Sequence, residues 1–216
     1  MPLSDFISDS ITSLSIRFNR FYNKVRLNNK KFTIISNNCW GGLIYNKLGL
    51  EYQSPTIGCG IMDEHYFKLC ENLNHYFAQK LEFIDPHQSI YYDIRRKRYK
   101  KEIDYPVARL DDIEILFTHY KSKNEAKEKW ERRLKRMNPN KIIIKWSQRN
   151  SMDEAFVKRF LALPHANKIA FVAPGCKISD KSIIVIPELE MLNRQGGDET
   201  PYTIKHFDII KYLNSL

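Results

Sequence analysis

Cys39 stands where a thiol can take part in chemistry. The apolar run at 32–35 predicts a short strand, and the sequence SNNCWGG follows it at 36–42. A helix predicted over 40–48 places Cys39 at its N-terminus, where unpaired backbone N–H groups and the helix dipole favour a thiolate and stabilise an oxyanion. This pattern indicates a cysteine nucleophile. Because most free cysteines are buried and inert, a purely structural Cys39 is the alternative interpretation.

A cysteine nucleophile needs a base within hydrogen-bond reach, and His119 is the best placed of the six histidines. It follows the apolar run at 113–117, so it is predicted to stand at the carboxyl end of another strand and to face the same crevice as Cys39. The other histidines fall in helix patterns or loops, where packing and surface roles are commoner. No spacing of His, Cys and Asp resembles a closed zinc site, and we expect no metal.

Residues near Cys39 and at a third strand end complete the predicted site. Asn38, with the backbone N–H groups of Trp40 and Gly41, is predicted to form an oxyanion hole. Gly41 and Gly42 carry no side chain, so a ligand can approach the backbone closely. Ser147 follows another apolar run and would reach the same crevice if that strand is parallel to the first. An ordinary loop role for Ser147 is the alternative.

The formal net charge of +10 is concentrated in two places. Residues 95–101 hold six basic residues in seven, and a second group comprises Lys129, Arg132, Arg133, Lys135 and Arg136. Such patches attract nucleic acid, anionic lipid or the phosphates of a nucleotide sugar or coenzyme. No helix-turn-helix, zinc-finger or RNA-binding sheet motif is present, so we expect no specific nucleic-acid partner. Arg132 and Arg133 are predicted to bind phosphate; a solvated loop and a solvated helix face are the alternative for the two groups.

The elements that must position these residues alternate between short β-rich runs and helical stretches, which is typical of α/β proteins. A chain of 216 residues, 43% of them hydrophobic, suits one core. We predict a single Rossmann-like layered α/β domain with a mainly parallel sheet over 31–216. The predicted strands are 32–36, 80–84, 113–118, 141–146, 168–172 and 183–186, and the predicted helices are 40–48, 63–77, 124–137, 152–161 and 203–213.

Residues 1–30 are predicted to form a separate amphipathic and basic segment, either one helix or a helix pair. Its apolar residues recur at helical spacing and its basic residues cluster toward the end. The apolar positions are Leu3, Phe6, Ile7, Ile11, Leu14, Phe18, Phe21, Tyr22 and Val25, and the basic ones are Arg17, Arg20, Lys24 and Arg26. Such a helix can lie on an anionic membrane surface or pack its apolar stripe against the domain, and both interpretations stay open.

The expected location is cytoplasmic. The four cysteines are scattered without a Cys-x-x-Cys pair, and the N-terminus lacks the pattern of a secretory signal. No window reaches the roughly 18 uninterrupted apolar residues of a spanning helix, so an integral membrane protein is not expected. Residues 1–30 leave open a peripheral contact at the inner face of the cell membrane.

Three motifs extend these inferences. They are NCWGG at 38–42, YPV at 105–107, and His119-Tyr120 followed by Ala126, Trp130, Arg132 and Arg133. Together they resemble a bacterial family of unknown function labelled exopolysaccharide biosynthesis proteins, over a stretch from about Phe32 to the C-terminus. The resemblance implies a sugar or polysaccharide precursor as partner and adds Tyr120 to the substrate-binding residues. The chain departs from the family's mainly apolar stretch after Pro55, where it has TIGCG at 56–60.

A strand followed by Asn-Cys is also similar to the opening of capsule-polysaccharide acetyltransferases that use a cysteine, a histidine and coenzyme A. The leading hypothesis is therefore an acyltransferase of surface-glycan assembly, with Cys39 as nucleophile, His119 as general base and a coenzyme A thioester as donor. One alternative is a glycosyltransferase or nucleotide-sugar-binding protein, but its best acidic pair, Asp111-Asp112, precedes a strand and so lies at the wrong edge of a parallel sheet. Another is a non-catalytic membrane scaffold held by residues 1–30.

Overall fold

The computed structural model describes residues 17–149 and 153–216, which form two β-sheets flanked by helices. The strands are β1 (Thr33–Ser36), β2 (Glu82–Ile84), β3 (Val107–Leu110), β4 (Ile113–Leu116), β5 (Ile142–Ser147), β6 (Lys168–Val172) and β7 (Ile183–Val185). The larger sheet is parallel and has the order β1-β5-β6-β7. The smaller sheet is antiparallel and has the order β2-β3-β4.

Helices connect and cover these strands. Residues 17–25 are helical and are called α1. The following helices are α2 (Trp40–Lys47), α3 (Asp63–Glu71), α4 (Leu73–Ala78), α5 (Tyr92–Tyr99), α6 (Lys123–Leu134), α7 (Glu154–Ala162), α8 (Leu189–Gln195), α9 (Thr200–His206) and α10 (Ile209–Asn214). A short 3₁₀ helix covers Pro86–Gln88.

The parallel sheet is buried on both faces, as its near-continuous apolar strands require. Successive residues of a strand point to opposite faces, so Ile34 and Ile35 of β1 enter two different apolar clusters. Ile35 belongs to the cluster that contains side chains of α3, α6 and α7. Ile34 belongs to the cluster that contains side chains of α2, α8 and α10. The sheet is therefore the central layer between two sets of helices.

The predicted α/β fold with a mainly parallel sheet is confirmed. The strand predicted at 113–118 does not join that sheet, because β4 pairs with β3 in an antiparallel hairpin in which Val107 lies opposite Leu116. The sequence prediction lacks β3. Its four residues, VARL, include an arginine and follow Pro106, so they do not stand out as an apolar run.

Two predicted helices are each broken in two. Asn72 leaves the helical region at φ −145° and ψ 64°, and its side chain accepts the N–H of His75, which caps α4. Asp208 separates α9 from α10, and its carboxylate accepts the N–H groups of Ile210 and Lys211. The helices α5 and α8 are also absent from the prediction. No side chain of α5 is buried, so its sequence shows no apolar periodicity.

A loop at 56–61 brings the ends of the two sheets together. Gly60 and Leu116 exchange backbone hydrogen bonds of 2.8 and 3.0 Å, and the N–H of Ile61 donates to the carbonyl of Asn37 at 3.0 Å. Gly58 has φ +76°, a conformation that favours glycine, and a Cβ there would lie 3.0 Å from the Tyr120 ring. The end of β4 therefore lies beside the end of β1, although the two strands belong to different sheets.

The predicted N-terminal segment falls partly outside the described residues, since the helix is described from residue 17 onward. The described part contacts α2 through polar groups: Arg20 donates to the Asn46 side chain, and Asn23 donates to the Lys47 carbonyl at 3.2 Å. The apolar side chains Phe18, Phe21, Tyr22 and Val25 are exposed. Within 17–149 and 153–216, no helix is long and apolar enough to cross a membrane.

Candidate functional site

A cleft of about 770 Å³ opens at the carboxyl ends of β1 and β5. It is lined by residues 37–40 at the start of α2, by the loop at 57–62, by residues 118–120 after β4, and by α5. Residues 197–199, just before α9, line the remaining side. Ligands of open α/β sheets bind at this edge, so the cleft is the candidate functional site.

Cys39 lines the cleft at the N-cap of α2, and its side chain is only partly buried. The side chain of Thr118 lies beside the thiol, and its hydroxyl donates to the carbonyl of Gly58 at 3.3 Å. Burial raises the pKa of the Cys39 thiol, and the carboxylates of Asp198 and Glu199 add to the rise. Thr118 and the Lys145 ammonium lower the pKa without cancelling the effect of burial. The resting thiol is therefore protonated at neutral pH, and forming the thiolate that a helix N-terminus favours requires a base.

His119 lines the same cleft, directly after Thr118. Its backbone N–H donates to the carbonyl of Gly58 at 3.2 Å, which fixes the chain just past the end of β4. In the part of the chain that the structure describes, no hydrogen bond joins the Cys39 thiol to the His119 ring. The structure thus brings the two predicted catalytic residues into one cleft without a direct hydrogen bond between them.

Two of the three predicted oxyanion donors, the Asn38 side chain and the Trp40 N–H, are already engaged. Oδ1 of Asn38 accepts the backbone N–H of Trp40 at 3.1 Å and the ammonium of Lys145 at 3.0 Å, and Nδ2 donates to Glu199 at 3.0 Å. The indole of Trp40 is buried and donates to the Thr203 hydroxyl at 2.8 Å. Asn38 and Trp40 therefore hold the start of α2 in place, and the positive potential near Cys39 comes from the helix N-terminus and Lys145.

Gly41 and Gly42 let α2 pack closely on its neighbours. A Cβ on Gly42 would lie 2.8 Å from Cγ2 of Ile57, and one on Gly41 would lie 3.2 Å from Cγ2 of Ile34. Gly42 lines the cleft, whereas Gly41 does not. Close packing thus explains both glycines, and the predicted approach of a ligand applies to Gly42 alone.

Lys145 and Glu199 form a buried ion pair beside Cys39. Glu199 also accepts a hydrogen bond of 2.6 Å from the Ser147 hydroxyl, and Arg149 lies 3.3 Å from its second oxygen. Burial lowers the pKa of Lys145 to about 8, although Glu199 opposes the change. Burial raises the pKa of Glu199, but Lys145, Ser147 and other donors outweigh burial and hold that pKa below its usual value. Both groups are therefore charged at neutral pH.

Ser147 ends β5, which is parallel to β1 as its predicted role requires. Its side chain is buried, its backbone N–H donates to Oδ1 of Asn37 at 3.1 Å, and its hydroxyl donates to Glu199. Ser147 is not among the residues that line the cleft. It supports the ion pair from behind, so the predicted contact with a ligand does not appear.

Tyr120 and Arg133 line the cleft, but their polar groups point into the protein. Both donate to the carbonyl of Ile57, Arg133 at 3.0 Å, and Arg133 also hydrogen-bonds the Tyr120 hydroxyl. Arg132 lies outside the cleft and forms an ion pair of 2.6 Å with Glu128. The two predicted phosphate-binding arginines are therefore separated into a buried side chain and a surface ion pair.

The sequence prediction lacks several residues of the site: Thr118, Lys145, Glu199, Arg95 and Arg98. Lys145 lies inside an apolar run, and this position indicates a buried ammonium. A buried charge requires a partner. That partner, Glu199, lies 54 residues further along the chain, and nothing in the sequence marks it. The basic run at 95–101 is noted in the sequence as anion-binding, but its two cleft-facing arginines are not distinguishable there.

Comparison with known proteins assigns the chain to a family. A family model described as "Domain of unknown function (DUF1919)" matches residues 11–214, which include every residue that lines the cleft. The chain belongs to the DUF1919 family. This DUF1919 protein is also similar to a protein of Haemophilus influenzae described as "Uncharacterized protein", with 29% identity over 195 residues, 88% of this chain and 87% of that protein. Neither description mentions exopolysaccharide, so that role is a proposal.

Proposed function

We propose that this DUF1919 protein is an acyltransferase of surface-polysaccharide assembly that moves an acyl group from a coenzyme A thioester to a sugar hydroxyl. The observation that carries the proposal is the partly exposed Cys39 thiol, which lies at a helix N-terminus in a large cleft at the ligand-binding edge of the sheet. The sugar acceptor rests on the resemblance of the sequence motifs. Tyr52 and Tyr99 line the cleft and offer aromatic surfaces that suit a sugar ring.

The proposed reaction has two steps. In the first, the Cys39 sulfur bonds to the acyl carbonyl carbon, and the bond from that carbon to the donor's sulfur breaks. The thiol proton passes to His119 and then to the departing thiolate. In the second, a sugar hydroxyl oxygen attacks the thioester carbon, its proton passes to His119, and the Cys39 sulfur leaves and recovers a proton.

A general base is required because burial raises the pKa of the Cys39 thiol. His119 lines the same cleft, and an imidazole is the commonest general base in proteins. Once the thiolate forms, the Lys145 ammonium and the N-terminus of α2 stabilise it electrostatically. The Lys145 ammonium thus supports the thiolate, and Glu199 holds that ammonium in place.

The test is turnover by the purified chain with acetyl-coenzyme A and a panel of sugar acceptors. Turnover is measured by the release of the coenzyme A thiol. Cys39→Ser is expected to abolish release, and His119→Ala to lower it by about 10²–10⁴-fold. The matched control is Cys176→Ser, because Cys176 is also partly exposed but lies outside the cleft. Turnover that Cys39→Ser leaves unchanged contradicts the proposal.

We also propose that α1 contacts an anionic membrane. The exposed side chains of Phe18, Phe21, Tyr22 and Val25 lie among Arg17, Arg20, Lys24 and Arg26, a combination that suits the headgroup region. Sedimentation with phosphatidylglycerol vesicles is expected for the wild type and lost in Phe18→Ser/Phe21→Ser. Val185→Ser/Met191→Ser is the control, because it removes exposed apolar side chains elsewhere. Equal sedimentation of the two double variants contradicts a contact through α1.

The acidic pair of the glycosyltransferase alternative lies outside the cleft. Asp111 and Asp112 form the turn between β3 and β4, where Asp111 contacts His75 at 2.8 Å and Asp112 contacts Lys68 at 2.7 Å. The glycosyltransferase alternative therefore requires a nucleotide-sugar donor that binds without the carboxylates of this turn. The nucleotide-sugar donor and coenzyme A both carry a diphosphate. Separate binding measurements with each ligand are therefore needed to decide between the two donors.

A further inference from the structure

The helix α5 presents two arginines to the cleft. Arg95 and Arg98 lie three residues apart, so they project from the same side of α5, and both line the cleft. Arg96 and Lys97 lie between them in sequence and do not line it. We propose that Arg95 and Arg98 bind the diphosphate group of the donor at the mouth of the cleft. This inference rests on the proposed function only in taking the group-transfer donor as the ligand.

Arg95 is oriented by neutral groups. Its Nε donates to the Tyr105 hydroxyl at 3.2 Å, its Nη1 donates to the Tyr99 hydroxyl at 3.4 Å, and its guanidinium carbon lies 4.4 Å from the centre of the Tyr99 ring. Among the described residues no carboxylate neutralises it. An arginine held in one orientation by rings and hydroxyls keeps its charge available for a phosphate.

Arg98 connects α5 to the end of β5. Its Nη2 donates to the carbonyl of Arg149 at 2.9 Å, and the Arg149 side chain lines the cleft and contacts Glu199 at 3.3 Å. The mouth of the cleft therefore lies next to the buried ion network below it. The other acid that lines the cleft, Asp198, accepts the N–H of Thr200 at 2.9 Å.

The other three cations of the cleft also have partners. Lys129 contacts Glu125 at 2.6 Å, Arg133 donates to the carbonyl of Ile57, and Arg149 contacts Glu199. The lining contains five cationic side chains against two carboxylates, and they are Arg95, Arg98, Lys129, Arg133 and Arg149 against Asp198 and Glu199. The lining therefore carries an excess of positive charge, to which Arg95 and Arg98 contribute from α5.

A diphosphate fits this arrangement. Guanidinium groups bind phosphate oxygens through pairs of parallel hydrogen bonds, and two arginines on one helix face can hold two adjacent phosphates. The half-exposed Tyr99 ring stands beside both arginines and offers a surface for a base or sugar. Coenzyme A and nucleotide sugars both carry a diphosphate, so the shared chemistry defines the site.

The test is isothermal titration calorimetry of the full chain with three probes: coenzyme A, uridine diphosphate, and pantetheine, which lacks phosphate. Arg95→Gln/Arg98→Gln is compared with Arg96→Gln/Lys97→Gln, which removes the same charge from the same helix on its other side. Since α5 buries no side chain, both double variants are expected to fold. The first is expected to weaken diphosphate binding by about tenfold or more, and the second by less than about threefold.

The outcomes separate this inference from the proposed acyl transfer. If Arg95→Gln/Arg98→Gln weakens coenzyme A binding and the control double variant does not, the result supports the diphosphate site and an acyl donor as its ligand. Selective loss of uridine diphosphate binding alone supports the site and contradicts the coenzyme A donor. Equal losses in the two double variants, no loss in the first, or no binding of either diphosphate by the wild type at about 1 mM overturns the inference. Inactivity of Cys39→Ser has no bearing on these affinities.

Discussion

The charged residues at the inner end of the cleft and the arginines at its mouth have different surroundings. Lys145 and Glu199 are buried and satisfy one another within a network of hydrogen bonds. Arg95 is half-buried and is held by neutral side chains. Removing a buried partner leaves a charge with little solvent and less compensating charge, whereas removing a mouth arginine leaves a solvated helix. The inner charges therefore determine stability and position, and the mouth charges determine ligand binding.

Lys145→Met is expected to have the largest effect on stability. It leaves the Glu199 carboxylate buried beside Arg149 without the ammonium, so the free energy of unfolding falls by about 3–5 kcal/mol. Urea unfolding measures the change. Lys127→Met, at an exposed position of α6, is the control and stays within about 0.5 kcal/mol of the wild type. If Lys145→Met lowers the free energy of unfolding no more than Lys127→Met does, the result contradicts a special role of the inner charges in stability.

Arg133→Met is expected to have the next largest effect. It removes the buried guanidinium from the Ile57 carbonyl and the Tyr120 hydroxyl, at a cost of about 2–3 kcal/mol in the free energy of unfolding. Its neighbour provides the comparison: Arg132→Met removes only a surface ion pair with Glu128 and costs less than about 1 kcal/mol. Equal losses for the two variants, by urea unfolding, show that Arg133 is not the buried support described here.

The pH dependence of Cys39 alkylation tests whether burial at the inner end of the cleft raises the pKa of the thiol. Because burial raises the pKa of Cys39, the thiolate forms only above the ordinary thiol range of about 8.5, and alkylation at pH 7 is slower than for an unstructured cysteine peptide. Mass spectrometry assigns the alkylated cysteine. A wild-type midpoint below that of the peptide contradicts the account of burial.

Arg95→Gln/Arg98→Gln is expected to have the smallest effect on stability. Both side chains are partly exposed on a helix that buries nothing, so the free energy of unfolding changes by less than about 1 kcal/mol. Thermal denaturation without ligand gives this value. If the free energy of unfolding falls as much as it does for Lys145→Met, the mouth arginines stabilise the fold as the inner charges do. That result contradicts the distinction between the two regions.

The sequence predicts the strand–turn–helix around Cys39 because its signals are local. An apolar run precedes SNNCWGG, and the observed β1 and α2 begin within one residue of the predicted positions. The placement of His119 after a strand is likewise predicted, although β4 belongs to the antiparallel sheet. Local periodicity identifies β4 as a strand, but the sheet that it joins depends on its pairing with β3, which has no clear apolar run in the sequence.

The parts of the site that escape prediction depend on contacts distant in sequence. Lys145 resembles an interruption in an apolar strand until Glu199 approaches from another part of the chain. Arg132 and Arg133 are adjacent in sequence, yet one packs inward and the other pairs with Glu128 on the surface. The pattern of a basic run therefore predicts an anion-binding surface but not which of its side chains face the cleft.

The most direct test of the central claim is to trap the acyl group on Cys39. The chain is incubated with acetyl-coenzyme A without a sugar acceptor, quenched in acid, and examined by peptide mass spectrometry. The account predicts an acetyl thioester on the peptide that contains Cys39, absent from Cys39→Ser and retained in Cys176→Ser. Acetyl transfer to a sugar by the same preparation, with no thioester on Cys39 at any time point, contradicts it.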